Sequence, residues 1–430
     1  MLGNMLRSAA RWARRRWYFV GPFVLVVAGV IVYFTWGQRP GDVLNTTVPF
    51  TTPPPTTTTP ETPKKKKKAP ETVNWPIYGF DLQRTRYLPA ADAKNVKPPF
   101  RSVWSLSGKT LMEYQPVLWK GTMWFLKNNG ELWAVRTKTG KKLWVRRIGS
   151  LAASSPAYMD GHVFATTLSG KITALNASDG RVLWARNIGA RTESSPLAMR
   201  GTIYFGAEDG RVYAMRGRDG KILWTYKTSG DVTAGPAYSK GLLYFGDYGG
   251  NMQAVRASNG SLVWKRHVAG LPFGRSGGFY GTPAVAFDRV YVGNLDRKVY
   301  SFSARTGEIA WSHSTGHYVY AAPAVAAVPN VTPSVYVGSY DGHFYALDAR
   351  TGRPRWTFPA GDAISGAASV IGRVVYFSTV HTHKTFGVDV QSGRQVWSFG
   401  HGAYTPAISD GQRLYLTGYS SQYALVPRKP

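Results

Sequence analysis

The chain contains no cysteine. That excludes disulfides, thiolate metal sites and a lipid-anchoring cysteine. Acidic residues are scarce too: 23 Asp+Glu stand against 53 Lys+Arg, a formal net charge of +30. With only 8 histidines, any metal site must be assembled from few ligands. At 430 residues and 43% hydrophobic, the chain can still bury a sizeable core without covalent staples.

Long apolar runs are also rare, with one exception. Trp17 to Trp36 carries no charge and follows Arg7, Arg11, Arg14, Arg15 and Arg16. About 20 apolar residues cross a bilayer as a helix, and aromatic residues flank the run at both ends, as at membrane interfaces. The arginines place residues 1–16 in the cytoplasm as a basic tail, and the rest outside. No small-x-small cleavage pattern follows, so a retained transmembrane helix over 17–36 is expected rather than a cleaved signal peptide. Residues 37–72 are rich in proline and threonine with the run Lys64–Lys68. They read as a disordered stalk with nothing to bury, able to reach on the order of 100 Å. Asn45-Thr46-Thr47 fits a glycosylation acceptor.

The rest of the chain repeats one line. GELWAVRTKTGKKLW ends at Trp144, GKITALNASDGRVLW at Trp184, GRVYAMRGRDGKILW at Trp224 and GNMQAVRASNGSLVW at Trp264. Later copies end at Trp311, Trp356 and Trp397. Four residues before each tryptophan stands a glycine: Gly140, Gly180, Gly220, Gly260, Gly307, Gly352 and Gly393. From Trp104 to Trp264 the period is 40 residues, then 47, 45 and 41. Each line reads as strand, tight turn, strand, with period-two alternation before the turn. Glycine supplies the left-handed turn conformation, and the indoles are expected to pack between sheets. Two more strands precede each line, introduced by a motif ending in Pro116, Pro156, Pro196, Pro236, Pro283, Pro323 or Pro406. Four strands per repeat make one propeller blade. The tail ends in SQYALV without a turn or tryptophan, and RSVWSL around Trp104 supplies the missing strand. The expectation is an all-β, eight-bladed β-propeller over 73–430, closed by both ends of the chain.

The repeated line, with NWPIYGFDLQRTRYLP before the first blade, resembles the repeat of pyrroloquinoline-quinone (PQQ) enzymes. It also resembles the repeat of their non-enzymatic relatives, such as the propeller lipoprotein of bacterial outer-membrane assembly. The resemblance covers roughly 74–426. For the enzymes it implies PQQ between a cysteine pair and a tryptophan, calcium held by a glutamate and an asparagine, and an aspartate base. The cysteine pair is missing here, and no acidic residue falls on a matching motif. A non-catalytic reading with no cofactor is therefore expected over a PQQ- and calcium-dependent dehydrogenase.

Residues just before the innermost strands should line one face near the channel: Glu113, Tyr114, Glu193, Tyr280, Tyr320 and Tyr404. Glu113 and Glu193 are the first candidates for a binding role, with Arg275 in the longest connection, LPFGRSGGFYG. His317, His381, His383 and His401 fall on the same face and are candidate metal ligands only if they converge. Residues 73–430 hold 42 Lys+Arg and 20 Asp+Glu, after removing the 11 and 3 of residues 1–72, a net +22. Outside the cell such charge suits an envelope protein partner or an anionic cell-wall polymer rather than nucleic acid. The functional expectation is a membrane-anchored extracytoplasmic scaffold at the plasma membrane. The alternatives are a quinoprotein dehydrogenase and a polyanion-binding module.

Overall fold

A computed structural model describes residues 41–52, 73–268, 270, 277–402, 404–405 and 407–428. The apolar run 17–36, residues 53–72 and Arg275 lie outside the described residues. Among the described residues no helix is long and apolar enough to cross a membrane.

Eight antiparallel meanders of four strands form the ring. The first blade comprises Val117–Trp119, Thr122–Leu126, Glu131–Arg136 and Lys142–Arg147. The third comprises Leu197–Met199, Thr202–Ala207, Arg211–Arg216 and Ile222–Lys227. The fifth comprises Ala284–Ala286, Arg289–Gly293, Lys298–Ser303 and Ile309–Ser314. The eighth joins both ends of the chain: Phe100–Ser107 pairs antiparallel with Ser421–Pro427. The free edges that an open sheet array would leave at its ends are thereby removed.

The glycine and tryptophan of the repeat make one contact between blades. Each indole lies over the turn glycine of the next blade: Trp104 on Gly140, Trp144 on Gly180, Trp184 on Gly220, Trp224 on Gly260, Trp264 on Gly307, Trp311 on Gly352 and Trp356 on Gly393. At Gly307, φ is +73° and a Cβ would stand 2.5 Å from the Trp264 ring. The position is closed to side chains on both counts. Each of these indoles also donates to a carbonyl of the next blade, as in Trp144 Nε1 to Ala177 at 3.0 Å and Trp224 Nε1 to Ala257 at 3.1 Å. Burial and a satisfied N–H together set the spacing of the blades.

Residues 73–88 thread the channel. Their backbone hydrogen-bonds seven blades in turn: Val73 with Asp410 of the eighth, Trp75 with Leu118 of the first and Pro76 with Tyr158 of the second. Leu82 follows with Tyr238 of the fourth, Gln83 with Val285 of the fifth, Thr85 with Val325 of the sixth and Arg86 with Val370 of the seventh. The innermost strands would otherwise leave polar edges unpaired in the channel. Arg84 and Arg86 are fully buried in this segment. Arg84 donates to the carbonyls of Pro236, Ser195 and Tyr78, and Arg86 to those of Arg84 and Pro323.

The expectation of an unstructured stalk over 37–72 fails for residues 41–52. They form a strap along the outside of the fifth blade. Leu44 bridges antiparallel to Trp311, Asn45 N–H donates to Ala310 at 2.7 Å, and Ser312 N–H donates to Val43 at 3.0 Å. Val48 is buried in the blade's core, and Phe50 packs on Phe287 at 5.1 Å. The buried Arg289 donates to the carbonyls of Val48 and Pro49. Asn45 Oδ1 accepts from the N–H and hydroxyl of Thr47, a local turn. Composition failed here because a few apolar residues, Val43, Leu44, Val48 and Phe50, sit among prolines and threonines.

Candidate functional site, the tyrosine-lined cavity

The innermost strands begin at serine, threonine and glycine residues that bond neighbouring blades. Ser155 Oγ donates to the Gln115 carbonyl at 2.8 Å, Ser155 N–H to Ser195 Oγ at 2.9 Å, and Ser194 Oγ to the Ala234 carbonyl at 3.2 Å. This collar fixes the residues just before it, and these surround a central cavity of about 520 Å³. Tyr78 of the threading segment lines it together with Tyr114, Tyr280, Tyr320, Tyr340 and Tyr404. Tyr280 and Tyr320 meet edge-on at 5.3 Å, and Tyr320 and Tyr340 lie 5.0 Å apart.

Glu113 and Glu193 stand on the same wall with Asn128 and Arg191. Arg191 binds Glu193 at 2.5 Å and Glu208 at 2.7 Å, so its charge is already matched. The Tyr280 hydroxyl donates to Glu193 at 3.4 Å. Burial holds the Glu113 carboxyl above its usual range; a hydrogen bond from Asn128 opposes this and the charge of Glu193 adds to it. Burial likewise pushes the phenols of Tyr114 and Tyr280 up, so both remain protonated donors. Arg86 and Arg84 lie over the Tyr78 ring, 4.9 and 5.8 Å from its centre. Burial, reinforced by Arg86, lowers the Arg84 guanidinium to about 9. The cavity thus offers stacking faces, phenolic donors and carboxylate acceptors, which suits binding and orientation.

The chain therefore brings Glu113, Glu193, Tyr114, Tyr280, Tyr320 and Tyr404 to one place. Tyr78, Tyr340, Arg191 and Asn128 join them. Tyr340 lies in a turn between second and third strands, where every blade has a similar turn. Tyr78 was hidden because nothing in a single line of sequence says that 73–88 runs inside the ring. The four histidines stand in separate surroundings. His317 accepts from the Tyr318 N–H, His381 meets Asp362 at 2.7 Å, His383 packs on Tyr419 and His401 on Tyr423. Among the described residues no group of three or more His, Asp or Glu could hold a metal ion.

No curated protein gives a significant match to the sequence. Among solved structures, BamB from Moraxella catarrhalis is 18% identical with a TM-score of 0.65, covering 76% of this chain and all of that one. Quinohemoprotein alcohol dehydrogenase ADHIIG from Pseudomonas putida HK5 is 13% identical with a TM-score of 0.70, covering 83% of this chain and 81% of that one. A europium-containing methanol dehydrogenase is 14% identical with a TM-score of 0.68, covering 82% and 98%. At such identities the likeness speaks for the fold alone. The family described as outer membrane protein assembly factor BamB matches residues 128–276 and 231–417, more than half of the chain. With its eight blades and its repeated glycine–tryptophan contact, the protein belongs to this PQQ-type propeller family.

Proposed function

We propose that this protein is a non-catalytic, membrane-anchored propeller that serves as a binding or assembly scaffold at the extracytoplasmic face of the plasma membrane. One observation carries the reading. The channel is filled by the protein's own residues 73–88, and above them lies a pre-formed cavity of phenols and carboxylates. Such a surface engages a partner's side chains without chemistry. The resemblance to an assembly factor points the same way, and the apolar run 17–36 supplies the anchor. The net +22 of residues 73–430 favours an acidic protein or an anionic wall polymer as partner, with attraction that salt screens.

A quinoprotein dehydrogenase is the second reading, favoured by two observations: the dehydrogenase neighbours, and the adjacent Glu113 and Asn128 on the wall. These are the donor types that the resemblance implies for calcium. The set as a whole does not fit. No aspartate is among the described residues that line the cavity, the chain has no cysteine pair to cover a quinone, and Glu193 is already bound to Arg191. Titration of the purified protein with PQQ and calcium, followed by dye reduction with alcohols and sugars, separates the readings. The scaffold predicts no dye reduction. Saturable quinone binding with substrate oxidation would sink it. A photo-crosslinker at Tyr320 should capture a partner from the native membrane that one at Leu143, exposed on the outer strand of the first blade, does not.

A further inference from the structure

The strap changes where the protein can stand relative to a membrane. Residues 41–45 run antiparallel to the outer strand Ile309–Ser314, with Asn45 beside Ala310 and Asp42 beside Ser314. That strand ends on the face that carries the turns between second and third strands, which is the face of the cavity. Gly41 is held at this end, its carbonyl accepting from Lys298 at 2.9 Å, and Lys298 directly follows the turn Asn294–Arg297. Gly41 therefore sits at the cavity-side rim of the fifth blade.

The apolar run ends at Trp36. Five residue steps separate Trp36 from Gly41, roughly 18 Å at full extension. Residues 53–72 add nothing to this reach, because Thr51 is bonded to Phe287 and Val73 to Asp410, both on the disc. Only residues 37–40 remain between the membrane and a docked residue, so the long stalk expected from composition cannot separate the two.

Taking the proposed membrane span as its premise, we propose that the disc lies against the bilayer, with the cavity-side rim of the fifth blade touching the lipid interface. The strap presents Val43 and Leu44 outward at that rim, 39% and 47% exposed. On the outer strand of the adjacent fourth blade, Lys265 and Arg266 are exposed, and cations there suit anionic headgroups. The first blade, opposite the fifth in a ring of eight, is held away from the membrane.

Absence of cysteine makes the test clean. Full-length V43C and L143C would each be labelled with an environment-sensitive fluorophore and reconstituted in anionic vesicles doped with nitroxide-headgroup lipid. Both positions are exposed and apolar, Leu143 at 40%, but they lie on opposite rims. The expected result is several-fold stronger quenching at Val43 than at Leu143. Equal, weak quenching in protein that resists carbonate extraction would overturn the orientation and leave the anchor standing. Extraction by carbonate would overturn the anchor, and this orientation with it. Oxidative cross-linking of V43C/S312C reads docking of the strap separately. A flexible spacer of roughly 20 Gly/Ser residues between 40 and 41 should abolish the excess quenching and leave the cross-link intact.

Discussion

The third and fifth blades share one repeat but differ at their outer edges. In the third, Ile222 and Leu223 of the outer strand stand 46% and 47% exposed and Trp224 is half-buried. In the fifth, the aligned Ala310 and Trp311 are fully buried beneath the strap. One tryptophan thus does two jobs according to what covers it. In the third blade it spaces neighbouring sheets; in the fifth it also anchors a distant part of the chain. A repeat defines positions, and a single copy becomes special through what lies on it.

The largest effect should come from the tryptophans themselves. W311A is expected to destabilise by about 5 kcal/mol and W224A by about 3 kcal/mol, within the range for large aromatic truncations. Denaturant midpoints would check this, and equal losses would mean that the strap adds nothing. Next, A310K should cost about 3 kcal/mol, because it forces an ammonium group under the strap. Its aligned partner L223K, on an exposed edge, should stay within about 0.5 kcal/mol. Hydrogen exchange should show the Asn45 and Ser312 amides losing protection only in A310K. Smaller again is R289M, expected at about 2 kcal/mol because the carbonyls of Val48, Pro49 and Arg350 lose their donor. The aligned T202V in the third blade should be nearly silent.

The smallest contrast is one of pH. Glu131 in the first blade is held at about 2 by hydrogen bonds, first of all from Lys127, against an ordinary 4.5; the third blade has Arg211 at the aligned place. A carboxyl lowered by folding contributes stability above its unfolded pKa and loses it as pH falls through the folded one. Between about pH 4.5 and 2, wild type should therefore lose stability faster than E131Q. The side chain is partly solvated, so the difference is small.

Periodicity made the ring legible. Trp104 and the truncated tail implied closure by both ends, and Phe100–Ser107 does pair with Ser421–Pro427. The wall of the cavity was partly legible too, since residues before each inner strand must converge at the centre of a ring. Glu113 and Glu193 were reachable by that argument, but Tyr78 was not. Its place depends on non-local hydrogen bonds from 73–88 to six inner strands, and these leave no period in the sequence. The strap was misread for a related reason. Its twelve residues have the composition of a linker, and their burial depends on an edge about 270 positions away, as the Val43–Ser312 bond shows.

The threading of residues 73–88 carries a consequence for how the molecule comes into being. In an open solenoid each unit senses only its neighbours and can melt alone. Here one short stretch, synthesised before any blade, is bonded to seven of the eight. It can serve the nascent chain as a spindle on which successive blades are wound, but the last blade waits for the final residues. The ring should therefore gain and lose its structure as one cooperative unit, despite being written in repeats.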